Sequence, residues 1–163
     1  MARRRAFDAG TLQEPGPANF EPMLSIRPMR SEDISAAHII RLRVRENHLS
    51  DPSVVTEQDY HDFMARDTMS WVCELDGALT GFVMVDVEKR NLWALFVAPE
   101  HERKGVGKAL HETMLTWYWQ RAATLRLSTA PGTRAELFYR KAGYSSIGLT
   151  KSGEVIFELH RPT

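Results

Sequence analysis

A chain of 163 residues, 43% hydrophobic and 26% charged, has the size and composition of a single globular domain that buries a core without disulfide staples. Lys+Arg and Asp+Glu are both 21, so no net field draws it to nucleic acid or an anionic membrane, and no apolar run approaches the roughly 20 residues of a membrane span. The single cysteine, Cys73, has no partner within the chain and suits a reducing cytoplasm.

The opening, MARRRAFDAGTLQEPGPANF, has an Arg cluster with no apolar run behind it and so does not read as a secretory signal. Gly10, Pro15, Gly16 and Pro17 punctuate it, which predicts a mobile arm over residues 1–22 and a folded domain over 23–163. Arg3, Arg4 and Arg5 read as a solvated tail rather than a nucleic-acid contact. Leu24 to Met29 alternates apolar and polar residues, a strand that Pro28 places near a sheet edge. Ser31 is a good N-cap for a helix through Ile34, Ala37 and Ile40 and past Val44. After the loop Asn47 to Pro52, Thr56 caps a second helix, with Asp59 completing a capping box. Met69 to Leu75 and Ala78 to Val87 are strands joined by a tight Asp76-Gly77 turn, and Gly81 inside the second marks a bulge or a close backbone contact.

Leu92 to Val97 is a near-continuous apolar strand, followed by a helix from about Val106 to Arg121 whose stripe Val106, Leu110, Met114 and Trp117 faces the sheet. Leu125 to Thr129 is the next strand. Thr133 with Glu136 caps a helix ending near Ala142, with Gly143 as its left-handed terminus. Tyr144 to Leu149 and Glu154 to His160 close a hairpin. Antiparallel hairpins followed by strand–helix–strand units give a mixed α/β fold, a mostly antiparallel sheet of about seven strands flanked by helices.

Chemistry concentrates where the strand Leu92 to Val97 runs into a Gly-rich turn and a helix. Amides at a helix N-terminus lack intrahelical acceptors, the macrodipole adds positive potential, and Arg103, Lys104 and Lys108 add side-chain charge, so an anion such as a pyrophosphate should bind. A Walker A loop would need glycine in place of Glu102 and a hydroxyl in place of Ala109, and a dinucleotide fingerprint would need glycine in place of Leu110. What remains is Val97, Pro99, Gly105 and Gly107. They match the pattern V-x-P, short loop, Q/R-x-x-G-x-G/A, which resembles the acyl-CoA loop of the GNAT superfamily of N-acetyltransferases, with Glu102 where Gln or Arg is usual. Thr133 to Tyr144 is similar to a second segment of that family, A-x-x-F/L-Y-x-x-x-G-F/Y, through Ala135, Phe138, Tyr139, Gly143 and Tyr144. Element order extends the likeness over about residues 24–160.

The resemblance implies a GNAT-like fold, acetyl-CoA as co-substrate, and acetyl transfer to a primary amine of a small molecule or peptide by direct attack in a ternary complex. It implies a cofactor site at Arg103, Lys104, Gly105, Val106, Gly107 and Lys108, backbone contacts from Leu95, Phe96 and Val97 to the pantetheine arm, and Phe138 beside them. It makes Tyr139 the acid that returns a proton to the departing thiolate, a role within reach of a phenol. Gly132 stands where an Asn is common, and Arg134 or Arg140 is either a contact to the 3′-phosphate or a solvated side chain. Many relatives carry a Glu early in this strand; here the region reads Arg90-Asn91-Leu92-Trp93. Glu88, just outside it, and Glu46, in the region that borders the acceptor in the family, are the candidate bases, with Asn47 and Trp93 as candidate acceptor contacts.

No metal site is expected, since His111-Glu112-Thr113-Met114-Leu115 starts like a zinc-protease helix but has Leu115 where the second histidine belongs. Cys73 reads as a small buried hydrophobe. The partners expected are an amine acceptor, neither nucleic acid nor membrane, and, because many relatives are homodimers, a second copy of the chain. The alternative reading is a non-catalytic acyl-CoA-binding module.

Overall fold

Seven strands form one sheet in the computed structural model of the chain, which describes residues 23–44 and 55–163. The strands are β1 (Leu24–Pro28), β2 (Thr68–Leu75), β3 (Ala78–Asp86), β4 (Asn91–Val97), β5 (Thr124–Thr129), β6 (Ser145–Leu149) and β7 (Val155–His160). The helices are α1 (Ile34–Arg43), α2 (Glu57–Ala65), α3 (Val106–Tyr118) and α4 (Arg134–Lys141), with 3₁₀ turns at Ser31–Asp33 and Pro99–His101. The sheet order is β1-β2-β3-β4-β5-β7-β6, antiparallel except for the parallel pair β4–β5. This is the mixed α/β architecture that the element order predicts. The N-terminal arm over 1–22 and the loop Asn47 to Pro52 lie outside the described residues.

Local chemistry explains the elements. Asp76 (φ 51°) and Gly77 (φ 82°) both take the left-handed backbone that a two-residue hairpin turn requires. Thr56 and Asp59 form the reciprocal box that starts α2. Thr133 Oγ1 accepts the Glu136 N–H at 3.2 Å, while the Glu136 carboxylate accepts the Gly132 N–H at 2.6 Å, one residue earlier than a strict box. The start of α1 differs from expectation. Arg30, not Ser31, caps the 3₁₀ turn Ser31–Asp33, and Asp33 is the N-cap of α1 itself; the Asp33 carboxylate accepts the Arg30 N–H at 2.8 Å and is held by Arg27 of β1 at 2.7 and 2.9 Å. Helix α3 also ends three residues early, at Tyr118, and Tyr118 rather than Trp117 completes the buried stripe. The Tyr118 hydroxyl donates to the Thr124 carbonyl across the turn into β5, which fixes the ring inside, while Trp117 packs edge-on against Trp71 at 5.6 Å.

The sheet separates two cores. On one face α3 and α4 cover Val83, Val85, Leu92, Leu125, Leu127 and Phe157; on the other, α1 and α2 cover Val72, Phe82, Met84 and Ala94. Cys73 is fully buried, and desolvation pushes its thiol upward, as suits a small hydrophobe rather than a nucleophile. Gly81 is the close contact that its place in a strand suggests: an added Cβ would stand 2.9 Å from the Phe96 carbonyl oxygen and 3.0 Å from Val106 Cγ1. Its lack of a side chain lets the start of α3 settle directly onto the sheet.

Candidate active site

Strands β4 and β5 pair only at Asn91 and Arg126 and diverge beyond it. The opposite edge of β4 stays paired with β3 as far as Val97, which faces Gly81. One backbone edge of Leu95, Phe96 and Val97 is therefore left facing a gap, ready to pair with an extended ligand that carries amides. The gap opens into a cleft of about 780 Å³. Leu95, Phe96 and Val97 form one wall, Ala135, Phe138 and Tyr139 of α4 another, and the loop leading into α3 closes the end.

At that end stands the N-terminus of α3. Gly105 caps α3 in the left-handed conformation (φ 80°), and Arg103 also has positive φ (63°), a strained conformation for a residue with a Cβ. The first hydrogen bond of the helix runs from the Ala109 N–H to the Gly105 carbonyl at 3.0 Å, so the amides of Val106, Gly107 and Lys108 have no acceptor within it. Gly107 leaves the approach open. A Cβ there would meet only Val97 and Phe138 side chains, at 3.5 and 3.9 Å, both of which line the cleft. Every residue expected to contact the cofactor lines the cleft except Lys104. His101, Glu102, Arg134 and Val44 line it as well. Glu102 is paired with Arg134 at 2.6 Å, which joins the loop to the first turn of α4.

Tyr139 sits at the inner wall, buried against Tyr144 at 5.2 Å, Phe138 at 5.3 Å and His111 at 6.4 Å between ring centroids. Desolvation raises its phenol well above the usual value, so it stays protonated and able to donate throughout the neutral range. Behind it, His111 Nε2 and the Tyr144 hydroxyl share a buried hydrogen bond of 2.7 Å. Burial lowers His111 to about 4, so the imidazole is neutral at pH 7.

The family model described as the acetyltransferase (GNAT) domain matches residues 66–146, a span from the end of α2 through the phosphate loop, Tyr139 and the start of β6. The chain belongs to the GNAT family. A curated relative, the peptidyl-lysine N-acetyltransferase YiaC of Escherichia coli (strain K12), is 37% identical over 84 residues. The aligned stretch covers 51% of this chain and 54% of that protein, so the chain matches only about half the length of this relative. Among solved structures, the ribosomal-protein-S18-alanine N-acetyltransferase of Escherichia coli superposes with a TM-score of 0.70 at 22% identity, covering 85% of this chain and 94% of that one. The PaiA N-acetyltransferase of Thermoplasma acidophilum, solved in complex with coenzyme A, also gives 0.70, at 19% identity, covering 85% and 99%. These two likenesses concern the fold.

Within this GNAT fold the residues proposed for the acceptor side are scattered. Glu88 lies exposed in the turn between β3 and β4, at the end of β4 remote from the phosphate loop, and does not line the cleft. Glu46 and Asn47 lie outside the described residues. Trp93 stacks on Phe63 with centroids 4.9 Å apart and meets Tyr60 edge-on at 5.3 Å; it borders a second cavity of about 310 Å³ beside α2 rather than the main cleft. Trp71 is core. Among the described residues no cluster of His, Cys, Asp and Glu is arranged to hold a metal, and no helix is long and apolar enough to cross a membrane. His111 and Arg41 are the residues with distinctive environments that sequence reading passed over, because their partners lie far along the chain.

Proposed function

We propose that the protein is an N-acetyltransferase that moves an acetyl group from acetyl-CoA to a primary amine by direct attack within a ternary complex. The observation that carries this reading is the gap between β4 and β5: a free strand edge leads from the orphan amides of α3 to the Tyr139 ring in one continuous cleft. A diphosphate fits the α3 end, where Arg103 and Lys108 supply charge and Gly107 leaves room. Leu95, Phe96 and Val97 hold an extended amide-bearing arm by backbone hydrogen bonds, which directs its far end toward Tyr139.

In this reading Tyr139 donates its phenolic proton to the thiolate as the amine displaces it, and its high pKa keeps that proton in place until then. Of the two candidate bases, Glu88 stands at the far end of β4 and does not line the cleft, which leaves Glu46 as the one to test. The acceptor is the amine of a small molecule or peptide; acetylation of peptide lysine by YiaC, to judge from that protein's name, makes a peptide amine the first to try.

The test is release of free thiol from acetyl-CoA against a panel of amines, amino acids and lysine peptides. Thiol release that requires an amine supports the proposal. Stabilisation by acetyl-CoA no greater than that by ADP, with no amine-dependent release, would leave only a nucleotide-binding module and would sink it.

A further inference from the structure

Arg41, near the end of α1, lies against two rings of β4. Its guanidinium carbon lies 5.1 Å from the centroid of Trp93 and 4.9 Å from that of Phe96. Its Nε and Nη1 are buried and make no hydrogen bond among the described residues. The Tyr60 hydroxyl, which also meets His38 Nδ1 at 3.2 Å, is its polar neighbour; burial raises that phenol, and the charge of Arg41 and a hydrogen bond from it oppose the rise, so that Nε and Nη1 are the donors left without an acceptor. No described carboxylate forms an ion pair with Arg41, although Arg27, Arg43, Arg66, Arg126, Arg134 and Arg140 each have one.

This arrangement is incomplete. A guanidinium stays charged and carries five donors in one plane. The two aromatic faces satisfy its charge in part, through the ring quadrupole, but accept nothing at its edge. Withdrawing such donors from water without an acceptor is unfavourable, and a carboxylate is the group that fits a guanidinium edge in a bidentate manner. The position is also suggestive. Phe96 lines the cleft, and so does Val44, one turn further along the chain from Arg41. Arg41 itself does not line the cleft; it lies against Phe96 on the α1 and α2 face of the sheet, opposite the face on which α3 packs.

We propose that Arg41 is a carboxylate-binding residue of the acceptor site, so that this enzyme prefers amines that also carry a carboxylate, either a free amino acid or a peptide amine beside an acidic residue. The proposal rests on the acyl-transfer reading and specifies its substrate class. Arg41 touches the substrate's charge, not the reacting atoms, and acts on specificity.

The test uses the full chain and two sets of matched acceptors: amino acids against their carboxamides, and lysine peptides with a neighbouring Glu against the same peptides with Gln. The parent should favour the carboxylate member by at least about ten-fold in kcat/KM, the value of a charge-assisted hydrogen bond. In Arg41→Gln that ratio should fall to about one, with acetyl-CoA affinity within about two-fold of the parent. Preference confined to the first set identifies free amino acids; preference confined to the second identifies peptides. The Arg41 Nε–H cross-peak in a ¹H–¹⁵N spectrum, assigned by its loss in Arg41→Lys, should move when the carboxylate member is added to the coenzyme-loaded protein and stay fixed with the neutral member. Equal rates in both sets together with an unmoved cross-peak overturn the proposal and leave acyl transfer standing. Thiol release that needs no amine counts against acyl transfer itself, and the cross-peak then decides on Arg41 independently.

Discussion

Replacing Gly107 with Ala separates stability from ligand binding with opposite signs. Gly107 is the second residue of α3, where a glycine holds the helix less firmly than alanine by about 0.5–1 kcal/mol. The added Cβ would meet Val97 Cγ2 at 3.5 Å and Phe138 at 3.9 Å, ordinary contacts that require no shift. The unliganded protein should thus gain up to about 1 kcal/mol and melt roughly 1–3 °C higher. The same methyl stands on the floor of the cleft, where a phosphate oxygen must come close to the α3 amides. Losing one charge-assisted hydrogen bond there removes about 1.5–3 kcal/mol, a ten- to hundred-fold weaker Kd. Calorimetric titration with acetyl-CoA and with ADP, beside melting curves, measures both effects, and the two ligands should lose affinity by a similar factor because they share the diphosphate. Parent-like affinity in a variant that melts higher would refute the placement of the diphosphate on these amides.

Three further outcomes follow from the same geometry. Gly81→Ala should lose about 2–3 kcal/mol, roughly 5–10 °C in Tm, because its Cβ at 2.9 Å would collide with a backbone carbonyl that cannot swing away; a melting curve unchanged from the parent would contradict the packing of α3 on β3. Tyr139→Phe should lower kcat while leaving acetyl-CoA affinity within about two-fold, and equal losses in both would make Tyr139 a binding residue. His111, lowered by desolvation to about 4, binds a proton more readily once unfolded; its contribution is therefore intact above pH 6.5 and is lost as pH falls through about 4, on the order of 3 kcal/mol in full. His111→Gln, which keeps a partner for Tyr144 and cannot titrate, should flatten the fall in Tm across that window, and an unchanged acid slope would place its origin elsewhere.

The parts of this site that sequence reading reached are those made by contiguous residues. The run from Leu92 to Lys108 encodes strand, turn and helix start in one stretch, because the orphan amides and the glycines that expose them are neighbours in the chain. Tyr139 was legible through its local motif, and the Asp76-Gly77 turn through backbone preference alone. The parts it missed depend on meetings between distant segments. His111 finds Tyr144 33 residues away, and Arg41 is framed by two rings on β4, so neither environment leaves a local signature. The exchange of Trp117 for Tyr118 in the buried stripe has a similar cause. Both lie one helical turn from Met114, and the acceptor at Thr124, which selects tyrosine, belongs to the next strand.

Glu102 shows how such a distant meeting changes the meaning of a residue. Judged along the chain, a carboxylate where Gln or Arg is usual should repel the anion proposed to bind this loop. In the fold its charge is offset by Arg134, 2.6 Å away on α4, and Glu100 is likewise joined to Arg43 at the end of α1 at 2.7 Å. Both pairs are exposed, so each contributes little to stability. Their effect is on geometry, since one ties the loop to the helix that carries Tyr139 and the other ties the preceding turn to the helix that carries Arg41. The departure from the family pattern is therefore met within the fold, by an arginine on the helix that carries Tyr139.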